Sequence, residues 1–211
     1  MADAVLFDLD RTLVDLQSAT DYAAALADAR RVAGPLAADD APATDWTHET
    51  RAAMALLVAC SGDARWEAVS AAIAAHEAAA LPRSVPMPGL HEAWALAAVV
   101  PRAVVTLLPE PVAREALARH GIAAGDAELV VVGRRPDDRP KPAPDGLLRA
   151  CVTLGVAPSA AVMIGDSSWD AEAARAAGTG FVGVPQSAAA FPEGTETAAD
   201  LCAAVRRVLG G

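Results

Sequence analysis

Asp8 and Asp10 stand two residues apart where the apolar run Ala4–Leu9 ends. In an extended chain their carboxylates share a face, whereas a turn beginning there would re-aim Asp10. Aspartate is also common in ordinary turns, so the pair alone leaves both readings open. A second acidic group follows another apolar run, in Gly165-Asp166-Ser167-Ser168-Trp169-Asp170. Asp166 is placed to ligate a metal ion and Asp170 to support it. Ser167 and Asp170 also have the spacing of a helix capping box, and both roles can coexist. Thr106, in Val104-Val105-Thr106-Leu107-Leu108, offers a hydroxyl and a neighbouring backbone N–H, although threonine is an ordinary strand residue. Lys141 lies between Pro140 and Pro142. The prolines fix an extended backbone and remove donors, so a stiff loop presents one ammonium. A solvated loop lysine is the plain alternative. Sixteen of the seventeen basic side chains are arginine, yet this position is the single lysine. A compact ammonium suits a small site that holds a carboxylate and a phosphate oxygen better than a wide guanidinium does.

Positioning these groups requires strands that end together. Ala4–Leu9, Ala103–Leu108, Leu129–Gly133, Ala160–Gly165 and Phe181–Val184 read as short buried strands. Leu90–Ala98, Pro111–His120, Asp145–Leu154, Trp169–Ala177 and Leu201–Leu209 read as helices between or after them. Apolar strands alternating with helices predict an α/β fold, a Rossmann-like parallel sheet covered on both faces. Ligands of such sheets bind at the carboxyl ends of the strands, where Asp8, Asp10, Thr106 and Asp166 fall. Between the first strand and the rest lies an all-helical block, read as Ser18–Val32, Asp45–Cys60 and Asp63–Leu81. Its breaks are Gly34-Pro35 with Asp39-Asp40-Ala41-Pro42, then Ser61-Gly62-Asp63. The linker Pro82–Gly89 closes it. The core domain is thus residues 1–15 and 86–211, with a helical cap domain at 16–85. Gln186–Asp200 reads as a loop of small residues.

The chain has 211 residues and a formal net charge of −10. That balance argues against nucleic-acid or anionic-membrane partners, which need clustered basic residues. No run approaches the length of a membrane span, and the N-terminus carries no basic targeting segment, so a cytoplasmic location is expected. Cys60, Cys151 and Cys202 fit no zinc spacing or disulfide framework and read as reduced, mostly buried thiols. Fifty-four alanines read as filler for close-packed helices.

Taken together, these motifs resemble the haloacid dehalogenase-like hydrolase superfamily, in its subfamily IA-type, phosphoglycolate phosphatase-like branch with a helical cap after the first strand. The resemblance rests on DLDRTL at 8–13, Thr106, Lys141 in KPAPD, and GDSSWD at 165–170. PMPGLHEAWALAA (86–98) and AEAARAAG (171–178) add to it. It implies a magnesium-dependent phosphatase acting on a small phosphate monoester through an aspartyl-phosphate on Asp8. Asp10 would protonate the leaving alcohol, activate water and lend its backbone carbonyl to the metal. Asp8, Asp10, Asp166 and Asp170 would form the Mg²⁺ site. Thr106, Leu107 and Lys141 would hold the phosphoryl oxygens. The cap would close and exclude water. The implied partner is a small phosphorylated metabolite, and the implied state a monomer or homodimer.

The superfamily's dehalogenases lack an acid at the position of Asp10, so Asp10 favours a phosphate ester. Its phosphonate hydrolases use a cap lysine, and this cap has none. Arg11 stands where glycine is frequent in the family and is expected to point outward. Leu107 replaces a commonly polar residue, which leaves only its backbone N–H for phosphate. A phosphomutase on the same scaffold, or a non-catalytic binding protein, are the other readings. Candidate cap contacts to substrate are Arg30, Arg31, His48, Arg51, Arg65, Trp66 and His76, most of them expected on solvated helix faces.

Overall fold

The computed structural model describes residues 1–36, 41–122 and 129–210. Asp39 and Asp40, read above as part of a cap break, lie outside them. In chain order the elements begin with β1 (Ala4–Phe7) and β2 (Val14–Asp15). Helices α1 (Tyr22–Ala33), α2 (His48–Ala59) and α3 (Trp66–Ala80) follow. Next come β3 (Val85–Pro86), α4 (Leu90–Leu96), β4 (Arg102–Pro109), α5 (Glu110–Arg119) and β5 (Val130–Arg134). The chain then continues through α6 (Asp145–Leu154), β6 (Ala161–Gly165), α7 (Ser168–Ala177), β7 (Gly180–Gly183) and α8 (Leu201–Val208).

Five strands form a parallel sheet in the order β5-β4-β1-β6-β7, with β1 in the middle. All four β1 residues are buried, as a strand covered on both faces requires. Val5 and Phe7 turn toward a cluster with α4, α5 and α8. Ala4 and Leu6 turn the other way, onto α6 and α7. A third cluster joins α1, α2 and α3 and takes in Trp169 from the start of α7, with Leu107 packed against it. The helical insertion α1–α3, called the cap below, therefore has its own apolar cluster, which reaches the sheet at Trp169 and Leu107.

Helix starts differ from the sequence reading because side chains cap them. Asp21 accepts from the Ala24 N–H at 2.9 Å, so α1 begins at Tyr22 rather than Ser18. Thr47 accepts from the Thr50 N–H at 3.2 Å and starts α2 at His48 rather than Asp45. Asp63 receives the Arg65 N–H and guanidinium in a turn, which delays α3 to Trp66. The linker at 82–89 is not wholly irregular, since β3 pairs antiparallel with β2. At two residues each, these strands are too short to show an alternating pattern. They join the two chain passages between sheet and cap. The loop at 186–200 meets the sheet through a bridge between Gly183 and Thr197. All three cysteines are free and buried. Among the described residues, no helix is long and apolar enough to cross a membrane.

Candidate active site

The core side chains predicted from the sequence meet at one edge of the sheet. Asp8 follows β1 directly, its N–H bonded to the Ile164 carbonyl at 2.8 Å. The chain then turns tightly, with the N–H groups of Leu13 and Val14 both donating to the Leu9 carbonyl. This turn re-aims Asp10, whose Oδ1 accepts from the Leu16 and Gln17 N–H groups, each at 2.8 Å. Thr106 sits where β4 loses register with β5, between Val105 and Pro109. Its Oγ1 accepts from the Leu108 N–H at 3.2 Å, which leaves the hydroxyl proton available.

Lys141 is buried at the centre. Its Nζ donates to Asp8 Oδ1 at 2.6 Å, Asp170 Oδ1 at 2.5 Å and the Val105 carbonyl at 3.1 Å. All three ammonium protons are thus committed, to partners from three segments of chain. Asp170 turns its other oxygen to the Ser167 hydroxyl at 2.7 Å and the Ser167 N–H at 3.2 Å. The last contact is the capping-box return from helix position N3. Capping and site support therefore reside in the same carboxylate. Gly165 makes room for it, since a Cβ there would lie 2.5 Å from the Asp170 carboxyl carbon.

The electrostatics set the acids apart. Burial pushes Asp8 up to about 6, with Lys141 pulling it back and Asp170 adding to the rise. Loss of solvation pushes Asp10 further, to about 8, against the pull of its two N–H donors. Asp166 is held well above the usual carboxylate range by burial and then by the charges of Asp8 and Asp170. Lys141 is held above its ordinary value: burial opposes its charge, but Asp170 and Asp8 outweigh that. Burial thus raises both neighbouring carboxyls, and Asp10 more than Asp8.

Oxygens of Asp8, Asp166 and Asp170 lie within 4.8 Å of one another and could hold a metal ion. Asp166 Oδ2 is buried without a hydrogen-bond partner among the described residues. A carboxylate oxygen with no hydrogen bond, only a long ion pair with Arg11 Nε at 3.6 Å, in an all-oxygen donor set fits a hard divalent cation.

Two further arginines shape the site, and the sequence reading did not place them there. Arg11 does not point outward. Its φ of 64° is left-handed, and its guanidinium forms a bidentate pair with Asp45 of the cap at 2.9 and 3.0 Å. Such a backbone costs about 1–2 kcal/mol for a residue with a Cβ. The forked ion pair, shielded from water, offsets that cost. Arg11 Nε also lies 3.6 Å from Asp166 Oδ2. Ser168 Oγ and Trp169 Nε1 donate to the carbonyls of Ala43 and Pro42, so this cap loop rests on the start of α7. Across the site, Arg134 at the end of β5 is fully buried against Glu77 of α3. Its other bonds go to Ser70 Oγ at 2.9 Å, the Ser70 carbonyl at 3.0 Å and the Leu107 carbonyl at 2.8 Å.

Between core and cap remains a cavity of about 30 Å³, lined by Asp8, Asp10, Thr106, Leu107, Lys141 and Asp170 from the core. Tyr22, Trp46, Thr50 and Met54 line it from the cap. None of the seven cap side chains singled out in the sequence lines it. Trp66 is buried in the cap core, and Arg31 and His76 both bind Asp28. Thr50 and Met54 have the i, i+4 spacing that puts two side chains on one helix face, but nothing in sequence says which face meets the site.

The profile of the haloacid dehalogenase-like hydrolases matches residues 2–178. The chain belongs to that family. No curated protein matches it significantly. Several solved structures share its fold. A subfamily IA, variant 1, hydrolase of the HAD superfamily from Geobacter sulfurreducens is 22% identical, with 96% of this chain and 97% of that one covered and a TM-score of 0.61. CbbY from Rhodobacter sphaeroides, solved with phosphate, is 21% identical, with 96% of each chain covered and a TM-score of 0.66. A candidate phosphoglycolate phosphatase from Lactobacillus delbrueckii is 19% identical over the whole of both chains, with a TM-score of 0.68.

Proposed function

We propose that this hydrolase is a Mg²⁺-dependent phosphatase that cleaves a small phosphate monoester through an aspartyl-phosphate on Asp8. The observation that carries this reading is the convergence of Asp8, Asp166, Asp170 and the buried Lys141 at one sheet edge, with the Asp10 carboxyl turned aside onto the Leu16 and Gln17 N–H groups. Burial raises Asp10 further than Asp8, which suits an acid standing beside a nucleophile. Asp8 attacks phosphorus, and the bond to the leaving oxygen breaks as Asp10 supplies that oxygen with a proton. Asp10, now ionised, takes a proton from water as the water attacks the aspartyl-phosphate. Phosphate leaves and Asp8 is regenerated. Lys141 fixes the Asp8 carboxylate and offsets charge beside it. The Thr106 hydroxyl and the Leu107 N–H serve as donors to the phosphoryl oxygens.

An unaided carboxylate facing a phosphate is a like-charge pair, with repulsion of about 4 kcal/mol per charge pair at 4 Å in an effective dielectric of 20. Asp8 and Asp166 would hold Mg²⁺, which supplies the positive charge that offsets this repulsion. Asp170, with its oxygens turned to Lys141 and Ser167, braces them. The Asp10 carboxyl stands outside the three-acid group, so its part in holding the ion would be its main-chain carbonyl. The free thiols suit a reducing compartment such as the cytoplasm.

The test is phosphate release from a panel of monoesters with and without Mg²⁺, for the parent and for Asp8→Asn. Metal-dependent release that Asp8→Asn abolishes is expected. Equal release by the two proteins removes Asp8 from the reaction.

A further inference from the structure

The cations around the cavity point to the chemistry of the leaving group. Building on the phosphatase reading, we infer that the substrate is the phosphate ester of a small, uncharged alcohol, with no carboxylate or second phosphate on the leaving side. Among the described residues lining the cavity Lys141 is the one cation, and it and the two arginines beside the site already have partners. Lys141 spends its three donors on Asp8, Asp170 and Val105. Arg11 is forked onto Asp45. Arg134 is buried against Glu77, Ser70 and Leu107. The cap side of the cavity, where a leaving group must sit, presents Gln17, Tyr22, Trp46, Thr50 and Met54. None of these carries a positive charge. Residues 37–40, 123–128 and 211 contain no Lys, Arg or His either.

The cap does own basic side chains, but they face elsewhere. Arg30, His48 and Arg51 line a separate cavity of about 400 Å³ between α1 and α2. On α2, Thr50 and Met54 look to the catalytic cavity, while Arg51 and Ala55 look to the other. One helix thus turns its neutral face to the substrate and its basic face away. A second anion on the leaving group would be buried without a counter-charge, beside Asp10 and in a chain of net charge −10. A neutral alcohol carries no such cost. The Trp46 indole N–H is buried without a partner among the described residues. It is a donor suited to a hydroxyl or carbonyl oxygen of that alcohol.

A matched pair of substrates tests this. 2-Hydroxyethyl phosphate and phosphoglycolate have the same carbon count and differ in a CH₂OH against a carboxylate. Both are assayed with the Mg²⁺-loaded protein, with para-nitrophenyl phosphate as the general phosphatase substrate. The expected result is kcat/KM higher for the hydroxyethyl ester by about tenfold or more, mostly through KM. Equal or faster turnover of phosphoglycolate, with para-nitrophenyl phosphate also cleaved, overturns the neutral leaving group and leaves the phosphatase reading standing. No release from any of the three overturns both.

Discussion

Arg134 ties the sheet to the cap, and removing it has a calculable cost. The guanidinium is fully buried and bonds Glu77, Ser70 and the Leu107 carbonyl. In Arg134→Met the packing volume is roughly kept, but Glu77 is left as a buried carboxylate with only the Tyr22 hydroxyl at 3.3 Å. Removing one partner of a buried pair costs about 3–5 kcal/mol. For a chain of this length that corresponds to a fall in Tm of about 6–20 °C. Urea and thermal unfolding followed by circular dichroism measure it, on Arg134→Met, Glu77→Leu and the pair combined. Each single change is expected to be strongly destabilising, and the double far less so than their sum. A single Arg134→Met within about 0.5 kcal/mol of the parent, the range of an ordinary surface change, would refute the strut.

Lys141→Arg keeps the charge but cannot place three donors at the distances set by Asp8, Asp170 and Val105, so turnover should fall by about a hundredfold or more; near-normal kcat removes the argument for a compact ammonium. Gly165→Ala drives a Cβ into the Asp170 carboxyl and should lower both Tm and activity, whereas an unchanged Tm means the carboxylate has room to move. The folded pKa values of Asp8 and Asp10 are raised above 3.8, so the folded protein binds more protons than the unfolded chain from there to about 8. Metal-free stability from these groups is therefore fully present below about 3.8 and lost as pH rises from there to about 8. In EDTA the Tm should fall from pH 5 to 8 and fall less in Asp10→Asn, and Mg²⁺ should raise it more at pH 8 than at pH 5. A Tm that climbs with pH in the parent contradicts the raised values.

The sheet was legible in the sequence because strands covered on both faces are uniformly apolar and stand out between helices, as in Ala4–Phe7 and Ala161–Gly165. The convergence of the candidate residues was legible because Asp8, Thr106, Asp166 and Lys141 all fall where strands end or loops are framed by proline. The cap face was not. Thr50 and Met54 look like any helix positions, and only the packing of α2 decides whether Arg51 or Met54 meets the site. Arg134 was also hidden, because an arginine at a strand end ordinarily reaches solvent. Its partner Glu77 is fifty-seven residues away, on helix α3. Arg11 misled for a local reason. Its direction follows from a left-handed backbone that the residue type disfavours.

The central claim is that phosphorus passes through Asp8. The most direct measurement is acid quenching of the Mg²⁺-loaded protein during turnover of a cleaved monoester, followed by mass spectrometry of the peptide that contains Asp8. One phosphoryl group is expected on Asp8 in the parent and none in Asp8→Asn. Turnover with no phosphoryl group on that peptide, or with the group on another residue, would contradict it.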